Sequence, residues 1–124
     1  MDRDTLENVF ITALEGGSNY WYTISEAARK IIRSHVHENF DPYLSTAIVK
    51  AIMDHNAIVP INDAEHPDEI LGWLSQDRIE EMINKLIGDE NYNWALKNEM
   101  NEQGDAESSD IIFQYLVIGG VEFS

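Results

Sequence analysis

Apolar residues recur at three- and four-residue intervals through most of this chain, and that spacing limits its fold more than any other feature. Leu6, Val9, Phe10, Ala13 and Leu14 form one helix face over Asp4–Glu15, with Asp4 to start it and Gly16-Gly17 to stop it. Ser25 caps a second helix running to about His37, with Ala28, Ile31, Ile32 and Val36 inward. Asp41-Pro42 opens a third, whose buried stripe is Leu44, Ala47, Ile48, Ala51 and Ile52. Ser75 precedes a fourth over Gln76–Ile87, with Ile79, Met82, Ile83 and Leu86 inward and Gly88 after it. Glu90–Met100 is helical with a weak apolar face. Asp110–Ile118 fits a buried helix closed by Gly119-Gly120, and it fits a strand equally well.

Strand signals are short. Ser18–Ile24 alternates, with Tyr20, Tyr22 and Ile24 on one side and Asn19, Trp21 and Thr23 on the other. Ala57–Ile61 is apolar and β-branched, and Pro60, lacking an amide donor, belongs at a sheet edge. Asn62–Pro67 reads as an acidic, turn-rich loop, and residues 98–109 as a mobile acidic loop. Val121 and Phe123 alternate as in an edge strand. The expected fold class is α+β, a helix-dominated single domain over residues 1–124 with a few short antiparallel strands. A length of 124 residues suits one core.

Charge and composition exclude several functions. The formal net charge is −15 and no cysteine is present. Disulfide frameworks, cysteine zinc sites and thiolate nucleophiles are therefore ruled out. No apolar run approaches the ~20 residues that span a bilayer, and no signal peptide opens the chain, so a cytoplasmic protein is expected. Residues 1–62 carry 8 acids and 5 bases, whereas residues 63–124 carry 15 acids and 3 bases. Such a field repels nucleic-acid backbones and anionic membranes, and it favours a basic protein surface or a ligand in a locally positive pocket.

Enzyme signatures are missing. His35 and His37 point to different sides of a helix, and the Asp63–Glu69 loop lacks the ligand spacing of a calcium site. There is no phosphate loop, dinucleotide fingerprint, nucleophile elbow or zincin motif. No catalytic residue, metal or cofactor is expected.

The most informative segment is Glu15-Gly16-Gly17-Ser18-Asn19-Tyr20-Trp21-Tyr22. Paired glycines let backbone come close to a ligand, and neighbouring strand aromatics face opposite sides, so one face can stay open. Trp21 would stack on a planar ligand while Ser18 and Asn19 read its edge. Arg29 and Arg33, four apart on the next helix, would hold phosphate. A glycine helix stop before a strand buried on both faces explains the same residues. Interfaces are also rich in Tyr and Trp, so a homo-oligomer is a further way to cover them.

Thr12-Ala13-Leu14-Glu15-Gly16-Gly17-Ser18-Asn19-Tyr20-Trp21-Tyr22 resembles the opening of a family of small acidic proteins encoded by bacteriophages and mobile elements. Asp105-Ala106, Asp110, Gln114 and Gly119-Gly120-Val121-Glu122-Phe123 are similar to that family's ending, and Val59–Glu65 to its middle. The resemblance implies a phage-type accessory protein that counters a host defence, and Gln114 completes the candidate ligand-binding residues. Two functions follow. One is a non-catalytic binder that sequesters a small nucleotide-like signal, which requires the Trp21 ring to stand partly open to solvent. The alternative is an acidic nucleic-acid mimic whose Asp77, Glu80, Glu81, Asp89, Glu90, Glu99, Glu102, Asp105, Glu107 and Asp110 occupy a basic surface of a host protein.

Overall fold

The computed structural model describes residues 1–17, 20–36 and 44–123. Helices α1 (Arg3–Thr12), α2 (Glu26–His35), α3 (Leu44–His55), α4 (Gln76–Ile87), α5 (Asn93–Met100) and α6 (Ala106–Ile118) dominate it. Strands β1 (Tyr22–Thr23), β2 (Val59–Asp63) and β3 (Ile70–Leu74) form a 3-stranded antiparallel sheet in the order β1-β2-β3. The fold is the expected helix-dominated α+β single domain.

Local chemistry sets most helix ends. The Asp2 carboxylate accepts from the Thr5 amide at 2.8 Å, so the α1 cap falls two residues before the expected Asp4. It runs into a wider π-helical turn over Ala13–Gly17, which takes in both of the glycines expected to stop the helix. Ser25 and Ser75 cap α2 and α4 as expected, accepting from Ala28 and Arg78 amides at 3.0 and 3.1 Å. The Asp41-Pro42 start of the third helix, and His37 at the end of the second, lie outside the described residues. Gln76 at the start of α4 donates to the Ile52 and Met53 carbonyls at 3.0 and 2.9 Å, which ties α4 to the last turn of α3.

Helix α6 resolves the helix-or-strand ambiguity and occupies the centre of the molecule. Ile111 through Val117 are all buried. A helix that is apolar on every side belongs inside a core, and here α1, α4, α5 and β3 all contact it. A reciprocal Asp105–Ser108 capping box opens it, and Gly119, at φ 80°, closes it in the left-handed region that glycine tolerates. Its C-terminal carbonyls find cationic partners. Arg78 Nη2 donates to Val117 O at 3.0 Å and Lys85 Nζ to Gly119 O at 2.6 Å.

Two local expectations are corrected, and one strand is new. The loop expected at 98–109 contracts to residues 101–105, because Asn98–Met100 belong to α5 and Ala106–Ser109 to α6. Ser108 and Ser109 are buried there and donate to Glu99 Oε1 at 2.9 and 2.5 Å. Pro60 sits in the middle strand, not an edge strand. It pairs with Trp73 on one side only, since β1 reaches no further than Asn62 and Asp63. Strand β3 carries no sequence expectation at all. Its Gly72 lies against α6 so closely that an added Cβ would fall 1.9 Å from Val117 O.

Candidate functional site

The aromatic segment does not form an open face. Trp21 is 2% exposed and Tyr22 4% exposed, so both enter the core and the expected stacking platform is absent. The physical reason is local: the chain turns at Tyr20 and Trp21 and becomes a strand only at Tyr22–Thr23, so strict alternation does not apply. Both rings pack on Phe113 of α6, with centroids at 5.7 and 5.1 Å, and Phe123 stacks on Trp21 at 5.3 Å with an interplanar angle of 10°. Tyr20 alone of the three projects outward, 46% exposed.

Asp110 makes that burial affordable to the indole. Its Oδ1 accepts from Trp21 Nε1 at 2.8 Å, and its Oδ2 from Tyr20 OH at 2.9 Å and Gln114 Nε2 at 3.0 Å. Burial and the Asp110 carboxylate together push the Tyr20 hydroxyl up to about 12, and burial raises Tyr22 as well. Gln114 is 0% exposed and its amide is fully engaged. Its Oε1 accepts from the Glu122 and Phe123 amides at 2.9 and 3.0 Å, and its Nε2 also donates to Phe123 O at 3.1 Å. The tail is thus pinned by a side chain and is not the edge strand expected around Val121 and Phe123. Gln114 is a structural tie and offers no free polar atom to a ligand.

The other candidate residues separate in space. Ser18 and Asn19 lie outside the described residues. Gly16 and Gly17 lie within the π-helical turn. Arg33 pairs with Glu26 at 2.8 Å on the surface, which holds the Glu26 carboxyl below its usual range. Arg29 instead borders an open cavity of about 520 Å³ whose described walls include Glu15, Tyr22, Thr23, Leu44 and Ser45. The volume suits a small ligand. Its one described arginine faces a wall that also carries Glu15, a balance that does little for a polyphosphate.

The acids divide clearly. Asp89 accepts from Tyr115 OH and from the Asn91 amide at 2.9 Å, and these bonds hold its carboxyl below the ordinary range, the Tyr115 bond foremost. Glu99 takes the two α6 serines, and Asp110 the aromatic cluster. Asp77, Glu80, Glu81, Glu90, Glu102, Asp105 and Glu107 are exposed. On α4, Asp77 precedes Glu80 by three residues and Glu81 by four, so these carboxylates share a solvent face with Cβ atoms about 5–6 Å apart.

Among the described residues, no group of three or more His, Asp or Glu side chains is placed to hold a metal ion. The His35 and His55 rings lie 6.0 Å apart as a pair between α2 and α3, a proximity that sequence spacing cannot show. Among the described residues no helix is long and apolar enough to cross a membrane. No family model matches this chain, and no curated protein or solved structure matches it either.

Proposed function

We propose that this chain is a non-catalytic accessory protein, of the phage type it resembles, that acts in the host cytoplasm by covering a basic surface of a host protein. The observation that carries this reading is the division among the acids. Asp89, Glu99 and Asp110 serve the fold, while Asp77, Glu80, Glu81, Glu90, Glu102, Asp105 and Glu107 face solvent with no internal task beyond the Asp105 cap. A helix face bearing Asp77, Glu80 and Glu81 offers a row of anions, the feature that a nucleic-acid-binding surface recognises in a backbone. The burial of Trp21 and Gln114 removes two residues on which sequestration of a nucleotide-like ligand depended.

Pull-down from host lysate tests the reading. Retention should fall steeply between about 50 and about 200 mM salt, because exposed charges are screened over ~8 Å at physiological ionic strength. The pair Glu80→Lys and Glu81→Lys should abolish it and Arg29→Ala should not. Retention indifferent to salt and to that charge reversal overturns the proposal. The ligand reading keeps one specific support, the cavity beside Arg29 and Tyr22. A thermal-shift screen with cyclic di- and trinucleotides tests it: a shift lost in Arg29→Ala favours a ligand, and no shift with any of them ends that reading.

A further inference from the structure

We propose that the outer edge of β3 docks an extended, basic segment of a partner protein, which joins the sheet as an additional strand. This goes beyond the acidic-surface reading and does not need it, because it stands on an open strand edge.

Strand β3 is terminal in the sheet and pairs with β2 alone, through Val59↔Leu74, Pro60↔Trp73 and Ile61↔Gly72. Among the described residues no backbone group bonds to its other side. Alternate amides and carbonyls of an edge strand face outward and form a template for another chain. Natural edges are usually blunted with lysine, proline, a bulge or a covering element. The segment Ile70-Leu71-Gly72-Trp73-Leu74 has no lysine or proline, and its irregularity opposite Ile61/Asn62 leaves Gly72–Leu74 in regular register. Ile70 is 46% exposed and Trp73 47% exposed, which supplies an aromatic anchor next to the open backbone.

Charge selects the occupant. Asp68 and Glu69 precede the strand and Asp77 follows it in the first turn of α4, all exposed. Arg78 lies beside Gly72 but is engaged by Val117 O at 3.0 Å, and no other lysine or arginine occurs between Ala51 and Asn84. A second copy of this chain is a poor occupant. Antiparallel edge pairing would set the Asp68-Glu69 end of one copy against the Asp77 end of the other, between molecules of net charge −15. A segment of alternating basic and apolar residues satisfies the backbone, the Trp73 anchor and the field together.

The test uses the ¹⁵N-labelled full chain and a short peptide of alternating lysine and valine. Expected are shift changes over Ile70–Leu74 and slowed hydrogen exchange at those of its amides that face away from β2, with affinity reduced about tenfold or more by Trp73→Lys or Trp73→Thr. Ile87→Lys, at an exposed apolar residue on α4, should leave affinity unchanged, and a glutamate–valine peptide should not bind. Shift changes confined to α4 and α6, without slowed exchange at β3, overturn the proposal while leaving the acidic-surface reading standing. Equal binding by a peptide N-methylated on alternate residues overturns it too. So does a concentration-dependent dimer in sedimentation that Trp73→Lys abolishes, since a second copy then owns the edge. Edge binding that survives Glu80→Lys with Glu81→Lys supports the docking site even if the acidic-surface reading fails.

Discussion

Replacing Asp110 with alanine should destabilise the protein more than any other single carboxylate change. Asp110→Ala removes the acceptor at 2.8 Å from the Trp21 N–H, and with Trp21 2% exposed only a water entering the vacated carboxylate space could replace it. An orphaned buried donor costs about 1–3 kcal/mol, and hydrogen bonds to a charged group contribute about 1.5–3 kcal/mol. Tyr20 is largely exposed and regains water, and Gln114 keeps Phe123 O as an acceptor, so their losses are small. The expected total is about 2–4 kcal/mol, or roughly 10 °C in Tm for a domain of this size. Asp110→Asn retains an acceptor for the indole but turns an amide donor towards Tyr20 or Gln114, and should cost roughly half as much. Urea unfolding followed by far-UV circular dichroism measures both. A cycle with Trp21→Phe, which removes the donor, should show coupling of about 1–2 kcal/mol. A loss below about 0.5 kcal/mol in Asp110→Ala, with no coupling to Trp21, would refute the claim that this carboxylate holds the indole in place.

Other consequences are open to direct measurement. Gly72→Ala should cost about 3 kcal/mol or more, because its new Cβ would meet Val117 O at 1.9 Å and that atom is backbone; unfolding unchanged from the parent contradicts this packing. A protein in which Trp73 and Trp94 are both replaced by phenylalanine should show blue-shifted Trp21 emission that acrylamide quenches poorly, and red-shifted, easily quenched emission contradicts the burial. Tyr20 and Tyr115 are both raised to about 12 by burial first, then by Asp110 and Asp89 respectively. The folded protein therefore holds these protons more tightly than the unfolded chain. That contribution is complete below pH ~10 and declines as pH rises from there to about 12. Tyr115→Phe should flatten the alkaline decline in Tm, and an unchanged slope opposes this account.

Helices with one wet face were legible in the sequence. The stripes Ala47, Ile48, Ala51, Ile52 and Ile79, Met82, Ile83, Leu86 are buried where spacing put them. Helix α6 was not, because periodicity needs a polar face for contrast and Ile111–Val117 has core on every side. Strand β3 gave no alternation, since Gly72 packs through its lack of a side chain and Ile70 and Trp73 stay exposed. The Trp21 expectation failed through parity: it assumed a regular strand across residues 18–24, and among the described residues of that span Tyr20 and Trp21 form a turn while Tyr22–Thr23 is strand. The tie from Gln114 to Phe123 runs from a side chain to backbone nine residues on, a pattern that no local period encodes. Asp110 and Gln114, however, are four apart, and on a helix that spacing places carboxylate and amide side by side. Reading Asp110–Ile118 as a helix from the start would have linked them.

The segments behind the phage-type resemblance meet in space, and this changes what such a likeness can say. Tyr20 and Trp21 from the N-terminal segment bond to Asp110, Asp110 bonds to Gln114, and Gln114 holds Glu122 and Phe123 at the other end of the chain. Their residue types are thereby accounted for: an indole needs an acceptor once buried, and a tail without strand partners needs another amide to bond its backbone. Residues so occupied report how a chain folds and carry little information about what it binds. On the readings proposed above, recognition uses what the fold leaves free: the exposed acids of the C-terminal half, the outer edge of β3 with Trp73, or the cavity beside Arg29. Substitutions in the first group should move stability and leave binding intact in the folded fraction, whereas Glu80→Lys or Trp73→Lys should do the reverse. A variant such as Gln114→Leu that lowered affinity without lowering Tm would place recognition back in the aromatic cluster and break this separation.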